Sequence, residues 1–153
     1  MTPIAAYEVS RDGFTVSTER ARLDLDAIFR YLSEESYWAA GIARGVFERG
    51  VAGSLPFGLY AADEAQIGYA RVISDYATFA WLSDVYVLEA HRGNGLGRFL
   101  VTSVMAHPRL QGLRRWMLST RDAHEIYREF GFGPVDPAIL MQRIDPEAHK
   151  RER

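Results

Sequence analysis

"HRGNGLGRFL", residues His91 to Leu100, sets Gly93, Gly95 and Gly97 at alternate positions between Arg92 and Arg98. The run before it, "DVYVLE" (84–89), is apolar and strand-like. The run after it, "GRFLVTSVMAHPRL" (97–110), repeats Phe99, Leu100, Val104 and Met105 near the helical period, with Pro108 past its end. A helix that begins in such a turn points several unpaired N–H groups at the turn. Those groups and the helix dipole favour an anion. Glycines remove the Cβ atoms that would hold a diphosphate away, and Arg92 and Arg98 can add charge-assisted bonds. The plainer alternative is a glycine turn that only caps a helix.

Counting excludes the commonest phosphate signatures. A dinucleotide fingerprint, G-x-G-x-x-G, needs glycine where Arg98 or Leu100 stands. A P-loop needs a lysine after its last glycine, and the one lysine of the chain is Lys150. No G-x-S-x-G nucleophile elbow occurs.

Composition narrows the classes further. The 153 residues are 48% hydrophobic and 25% charged with a net charge of -2, which fits one domain with a sizeable core. That charge gives no reason to expect a nucleic-acid or membrane partner. The absence of cysteine excludes disulfides, thiolate nucleophiles and cysteine zinc sites. The four histidines never fall at i, i+4, so no metal site is expected. No apolar run approaches the roughly 18–20 residues of a membrane helix. The start, "MTPIAAYEVSRDG", is too short and polar for a signal peptide, so a cytoplasmic protein is expected.

Along the chain, Tyr7, Val9, Phe14 and Val16 alternate around a turn-like "SRDG". Leu25, Ile28, Phe29 and Leu32 share one helical face, with Asp24 as N-cap. "GIARGVFERGVAGS" (41–54) reads as a weaker helix with Ile42, Val46 and Val51 inward; Gly45 and Gly50 each cost it about 1 kcal/mol against Ala. Runs at 56–64, 65–73 and 77–89 read as an antiparallel meander. Then come the glycine turn and its helix, a strand in "LRRWMLST" (113–120), a helix in "RDAHEIYREFGF" (121–132) and a last strand in "AILMQRI" (138–144). The prediction is an α/β (α+β) chain forming one domain over 1–145, with 146–153 a tail in solvent.

"DVYVLEAHRGNGLGRFLV" resembles motif A of the GCN5-related N-acetyltransferases, or GNAT family, whose signature [Q/R]-x-x-G-x-[G/A] is met by Arg92, Gly95 and Gly97. "DAHEIYREFGF" is similar to the family's A-x-x-L-Y-x-x-x-G-F run, through Ala123, Ile126, Tyr127, Gly131 and Phe132. The resemblance covers roughly residues 75 to 133. It implies a mixed central sheet of about six to seven strands flanked by about four helices. It also implies acetyl-CoA as co-substrate, without a metal, and acetyl transfer to a primary amine in a ternary complex. The alternative it leaves is a non-catalytic acyl-CoA-binding sensor of the same fold.

By position, the resemblance assigns the pantetheine arm to the backbone of Val85, Tyr86 and Val87. It assigns the pyrophosphate to the N–H groups of Gly93, Asn94, Gly95, Leu96, Gly97 and Arg98, with Arg92 beside them. Tyr127 matches the tyrosine that protonates the leaving thiolate. Thr120 stands where many relatives carry an asparagine that touches CoA. Asp84 is the carboxylate nearest the position of the family's general base. Glu35, Tyr37 and Trp38 fall in the acceptor-binding region, where the acid could attract a cationic amine and the aromatics could wall its pocket. A small-molecule or peptide amine is the expected partner, and both a monomer and a homodimer stay open.

Overall fold

The computed structural model describes residues 5–152. Its one sheet runs in chain order: β1 (Glu8–Arg11), β2 (Phe14–Ser17), β3 (Leu55–Tyr60), β4 (Gln66–Ser74), β5 (Phe79–Val87) and β6 (Arg115–Met117). Neighbours from β1 to β5 are antiparallel, and β6 joins β5 in parallel. The α-helices among the described residues are α1 (Leu25–Arg30), α2 (Arg44–Ala52), α3 (Leu96–Met105) and α4 (His124–Arg128). The sheet is therefore mixed and open, with the expected number of helices.

Local chemistry sets most of these limits. Asp12 and Gly13 both take positive φ (52° and 84°), which turns β1 back onto β2. Asp24 caps α1 by accepting from the Ala27 N–H at 3.0 Å. That helix then widens by one residue per turn over Tyr31–Glu35 and stops at Ser36. The second helix begins only at Arg44, after a left-handed Gly41 with φ of 76° and an extended Ala43 at its N-cap. Its buried face uses Phe47 and Val51, so Phe47 takes the place predicted for Val46.

Two cores sandwich the sheet. One gathers Phe57, Leu59, Val72 and Leu82 against Phe99, Leu100, Val101 and Val104 of α3. The other sets Tyr69 and Tyr86 against Ile28 and Leu32 of the first helix and Phe47 and Val51 of α2. The period-two alternation of β5 changes phase along its length. Ala80 and Leu82 face α3, and so does Val87, which is an odd number of residues farther on. The extra residue lies between the pairs Arg71↔Ser83 and Tyr69↔Tyr86, a β-bulge in which Asp84 holds φ of 55°.

The strand predicted at 138–144 does not form. Asp136 winds the chain into a turn: its carbonyl accepts from the N–H groups of Ile139 and Leu140, and its carboxylate from that of Ala138. Ile139, Met141 and Ile144 are exposed. An alternating pattern needs a neighbouring strand edge to become a strand, and here a local Asx turn with Pro137 takes the backbone first. Residues 146–152 lie at the surface, and several of them bond to the chain around residues 40–45. No helix among the described residues is long and apolar enough to cross a membrane.

The β4–β5 connection depends on one carboxylate. Asp75 accepts from the N–H groups of Ala77, Thr78 and Phe79 and from the Thr78 hydroxyl. These bonds, the one from the Thr78 hydroxyl above all, hold its pKa well below the usual carboxylate range. A lowered folded pKa contributes stability that is complete above the unfolded value of about 3.9 and is lost as pH falls through the folded value. Asp75→Asn should therefore flatten the acid limb of the stability curve below about pH 4. Urea midpoints measured at pH 7 and pH 3 for both proteins check this.

Candidate functional site

The β5 and β6 strands run together only from Phe79↔Arg115 to Trp81↔Met117. Beyond that point β5 continues to Val87 along β4, while its other edge has no strand partner among the described residues. The wedge so opened holds two cavities. One of ≈ 490 Å³ lies against Val85, Tyr86, Val87 and the start of α3. The other, ≈ 520 Å³, lies between Trp81–Asp84 and Leu118–Asp122. Tyr37, Trp38, Val85, Asp122, Ala123 and Tyr127 border both and form the waist between them.

The glycine loop forms one wall of the first cavity. Gly93 and Gly95 hold φ of 87° and 72°, so the turn itself requires glycine there. Gly97 is different. It lies inside α3, and a Cβ built on it would meet nothing within 4 Å. Neither backbone conformation nor packing explains a residue that weakens a helix. The N–H groups of Leu96, Gly97 and Arg98 have no partner among the described residues, and Gly95 as N-cap brings no side chain. Open space, bare N–H groups and a helix N-terminus together suit an anion.

The arginines flanking these glycines have other work. Arg92 donates from Nε to the Val87 carbonyl at 2.9 Å and from Nη2 to the Tyr31 hydroxyl at 3.1 Å. It thereby ties the loop to the end of β5 and to the first helix. Tyr31 in turn stacks on Tyr86 with ring centroids 3.8 Å apart. Arg98 forms a bidentate pair with Glu129 beyond α4, so its guanidinium is already engaged. Asn94 does not border the cavity; its amide reaches back to the His91 carbonyl.

On the opposite wall, the Thr120 hydroxyl accepts from the Ala123 N–H at 3.1 Å in the turn before α4; it borders the second cavity and not the first. Tyr127 is 8% exposed, and its hydroxyl makes no hydrogen bond among the described residues. Burial, reinforced by the nearby Tyr37 and Asp122, pushes its pKa up to about 12. The group is a protonated, unengaged donor at the waist of the wedge.

Residues 36–38 cross the mouth of the wedge. The Tyr37 hydroxyl accepts from the Arg121 N–H at 2.9 Å, and the Arg121 guanidinium lies 3.8 Å over the Tyr37 ring. Trp38 donates from its indole to Asp84 Oδ1 at 2.8 Å. The second oxygen of Asp84 accepts from Arg71 Nε at 2.5 Å. Sequence reasoning missed Arg121 and the pairing of Arg71 with Asp84; an arginine on a strand or in a loop carries no signal of what it will meet. Glu35, expected beside the acceptor, borders the first cavity. Among the described residues no cluster of His, Asp or Glu could hold a metal ion.

The side chain of Asp84 is 9% exposed and that of Arg71 20%. Removing one partner leaves the other charge buried and alone, at a cost of about 3 kcal/mol. Asp84→Ala should lower stability by about that amount. Asp84→Asn, which can still accept from Trp38 and tolerates positive φ, should cost less. Urea denaturation of the two variants measures both.

The sequence matches the family model for the acetyltransferase (GNAT) family over residues 26–132. A Gibberella zeae protein described as a candidate acetyltransferase is 33% identical over 139 residues, 77% of each chain. The crystal structure of a candidate GNAT acetyltransferase from Xanthomonas campestris pv. campestris superposes with a TM-score of 0.86 at 47% identity, covering 90% of this chain and 97% of that one. A GNAT acetyltransferase from Elizabethkingia anophelis, solved with acetyl-CoA bound, shares the fold at 14% identity and a TM-score of 0.62, over 82% and 80% of the two chains. With the family model spanning most of its length, the chain belongs to the GNAT acetyltransferases.

Proposed function

We propose that the protein is an N-acetyltransferase that takes its acetyl group from acetyl-CoA and passes it directly to a primary amine. The observation that carries the donor half is Gly97, a helical glycine over open space beside three unpartnered N–H groups. A diphosphate is the kind of group that requires such an approach. The free edge of β5 from Leu82 to Val87 suits the arm that follows, whose amides need backbone partners. Bound acetyl-CoA would supply the activated acetyl group at the waist.

The residues of this chain then have distinct tasks. Backbone N–H groups on the free edge of β5 stabilise the carbonyl oxygen as charge develops there. Tyr127 gives its proton to the departing sulfur. A thiol has an ordinary pKa of about 8.5, so the phenol is the weaker acid on ordinary values. The apolar surroundings that raise the phenol also disfavour a bare thiolate. The acceptor approaches from the second cavity, past Trp38 and Asp84. Both Asp84 oxygens already hold hydrogen bonds, so we read it as a fixed negative charge that draws an ammonium group. The amine's proton leaves through water beside it. With no cysteine in the chain, a cysteine-linked acyl-enzyme has no residue to form on.

Acetyl-CoA at 100 times its dissociation constant should add about 2.7 kcal/mol to stability, read as a raised thermal midpoint. No shift at millimolar ligand would overturn the donor assignment. Gly97→Ala should separate the two demands on that position. The free protein gains up to about 1 kcal/mol from helix propensity, while acetyl-CoA binds more weakly by calorimetry. A panel of polyamines, arylalkylamines, aminoglycosides and amino acids, screened for acetylation, identifies the acceptor. Tyr127→Phe should keep acetyl-CoA affinity and lower kcat by about 10²–10⁴. Unchanged turnover would remove Tyr127 from the reaction.

A further inference from the structure

Helix α2 lacks a cap of its own, since Ala43 stands at its N-cap and offers no side-chain acceptor. The end of the chain supplies one. Glu152 Oε1 accepts from the Gly45 N–H at 2.9 Å, which places a carboxylate at the positive end of the helix dipole. The His149 carbonyl accepts from the Ala43 N–H at 2.8 Å, and the His149 ring bonds the Ala40 carbonyl at 2.9 Å. The Lys150 stem lies against Gly41. A Cβ at Gly45 would crowd Glu152 Oε2, and the flexible end of that side chain would have to shift.

What the tail braces is the segment that carries Tyr37 and Trp38. Between Ser36 and Arg44 the chain's own support comes from the Ser33 and Ala39 carbonyls and the Ser36 hydroxyl. A third cavity of ≈ 270 Å³ lies behind Trp38, bordered by Asp84, Arg71, Phe47 and His149. Trp38 is thus tied by Asp84 on the strand side, while the backbone that carries it is tied by the tail.

We infer that residues 149–152 form a positioning element of the acceptor wall, with Glu152 the N-cap of α2 supplied from 107 residues away. The tail touches no reacting atom. It keeps Trp38 and Tyr37 at the waist and so sets how tightly the amine is held. The acceptor role rests on the proposed N-acetyltransferase reading; the brace itself does not.

Amide hydrogen exchange on the free 153-residue chain tests the brace without any ligand. Glu152→Ala should speed exchange at residues 38–46 by about fivefold, the effect of one lost cap. Glu152→Gln, which keeps an acceptor oxygen, should restore it. Exchange in α3 should not change. Deleting residues 148–153 removes every one of these bonds. That deletion should raise KM for the best amine of the panel by about tenfold, as the competent wall becomes a minor state, and leave KM for acetyl-CoA unchanged. Unchanged exchange at 38–46, or equal acceleration in α3, overturns the local brace. Local acceleration with an unmoved amine KM, or with both KM values rising together, overturns the positioning role. If the protein binds no acetyl-CoA, the functional reading fails by itself, and exchange still decides whether the brace exists.

Discussion

Strand β5 has to satisfy two edges that want different things. Along β4 it pairs over its whole length; along β6 it pairs over three residues and then stands free. A sheet edge opened in its middle would normally expose backbone groups that must find partners. Here β5 runs on past the point where its pairing with β6 ends at Met117. The bulge at Asp84 turns β5 and shifts its phase, so Val87 still faces α3 while Tyr86 faces the first helix. The free edge and both cavities lie in that divergence, with the glycine loop at one end and Tyr127 at the waist.

The same bulge organises charge. A left-handed backbone costs a non-glycine residue about 1 kcal/mol or more, least for Asp and Asn. Asp84 bears it and gains a placement that a regular strand residue would lack, within reach of both Trp38 and Arg71. A buried ion pair is weak support for stability in itself. What it does give is orientation: a tryptophan on a loop is fixed against a strand because a carboxylate between them cannot move.

Much of this was legible in the sequence, and the legible part has a common physical character. The glycine turn, its helix, the meander, the Asp24 cap and the Tyr127 helix all rest on residues a few positions apart. Local rules, such as positive φ at Gly93 and Gly95 or the helical spacing of Phe99, Leu100 and Val104, act within that range. The missing strand at 138–144 shows the limit. Its alternation was real, but a strand also needs an edge, and Asp136 offered the backbone bonds sooner. Phe47 in place of Val46 is a smaller error: the face that buries Val51 as predicted carries Phe47, four residues before it.

On the reading proposed above, the two halves of the site would recognise their partners by different means, and their residues stand out unequally in the sequence. The donor half is made of main chain: the free edge of β5 and the N–H groups of α3. At the start of α3 a ligand can come close to main chain only where side chains are absent, so there the requirement is written as glycine, a residue that leaves a mark in any sequence. The acceptor half is made of side chains brought together from far apart: Trp38 meets Asp84 across 46 residues, Tyr37 meets Arg121 across 84, and Gly45 meets Glu152 across 107. Each of these residue types is ordinary where it stands, an aromatic after a helix, an acid on a strand, a glutamate in a tail. Only the fold makes them neighbours. A wall of that construction can change its specificity by substitutions that leave every local signal intact, whereas the donor side, with Gly97 over open space, has no such freedom.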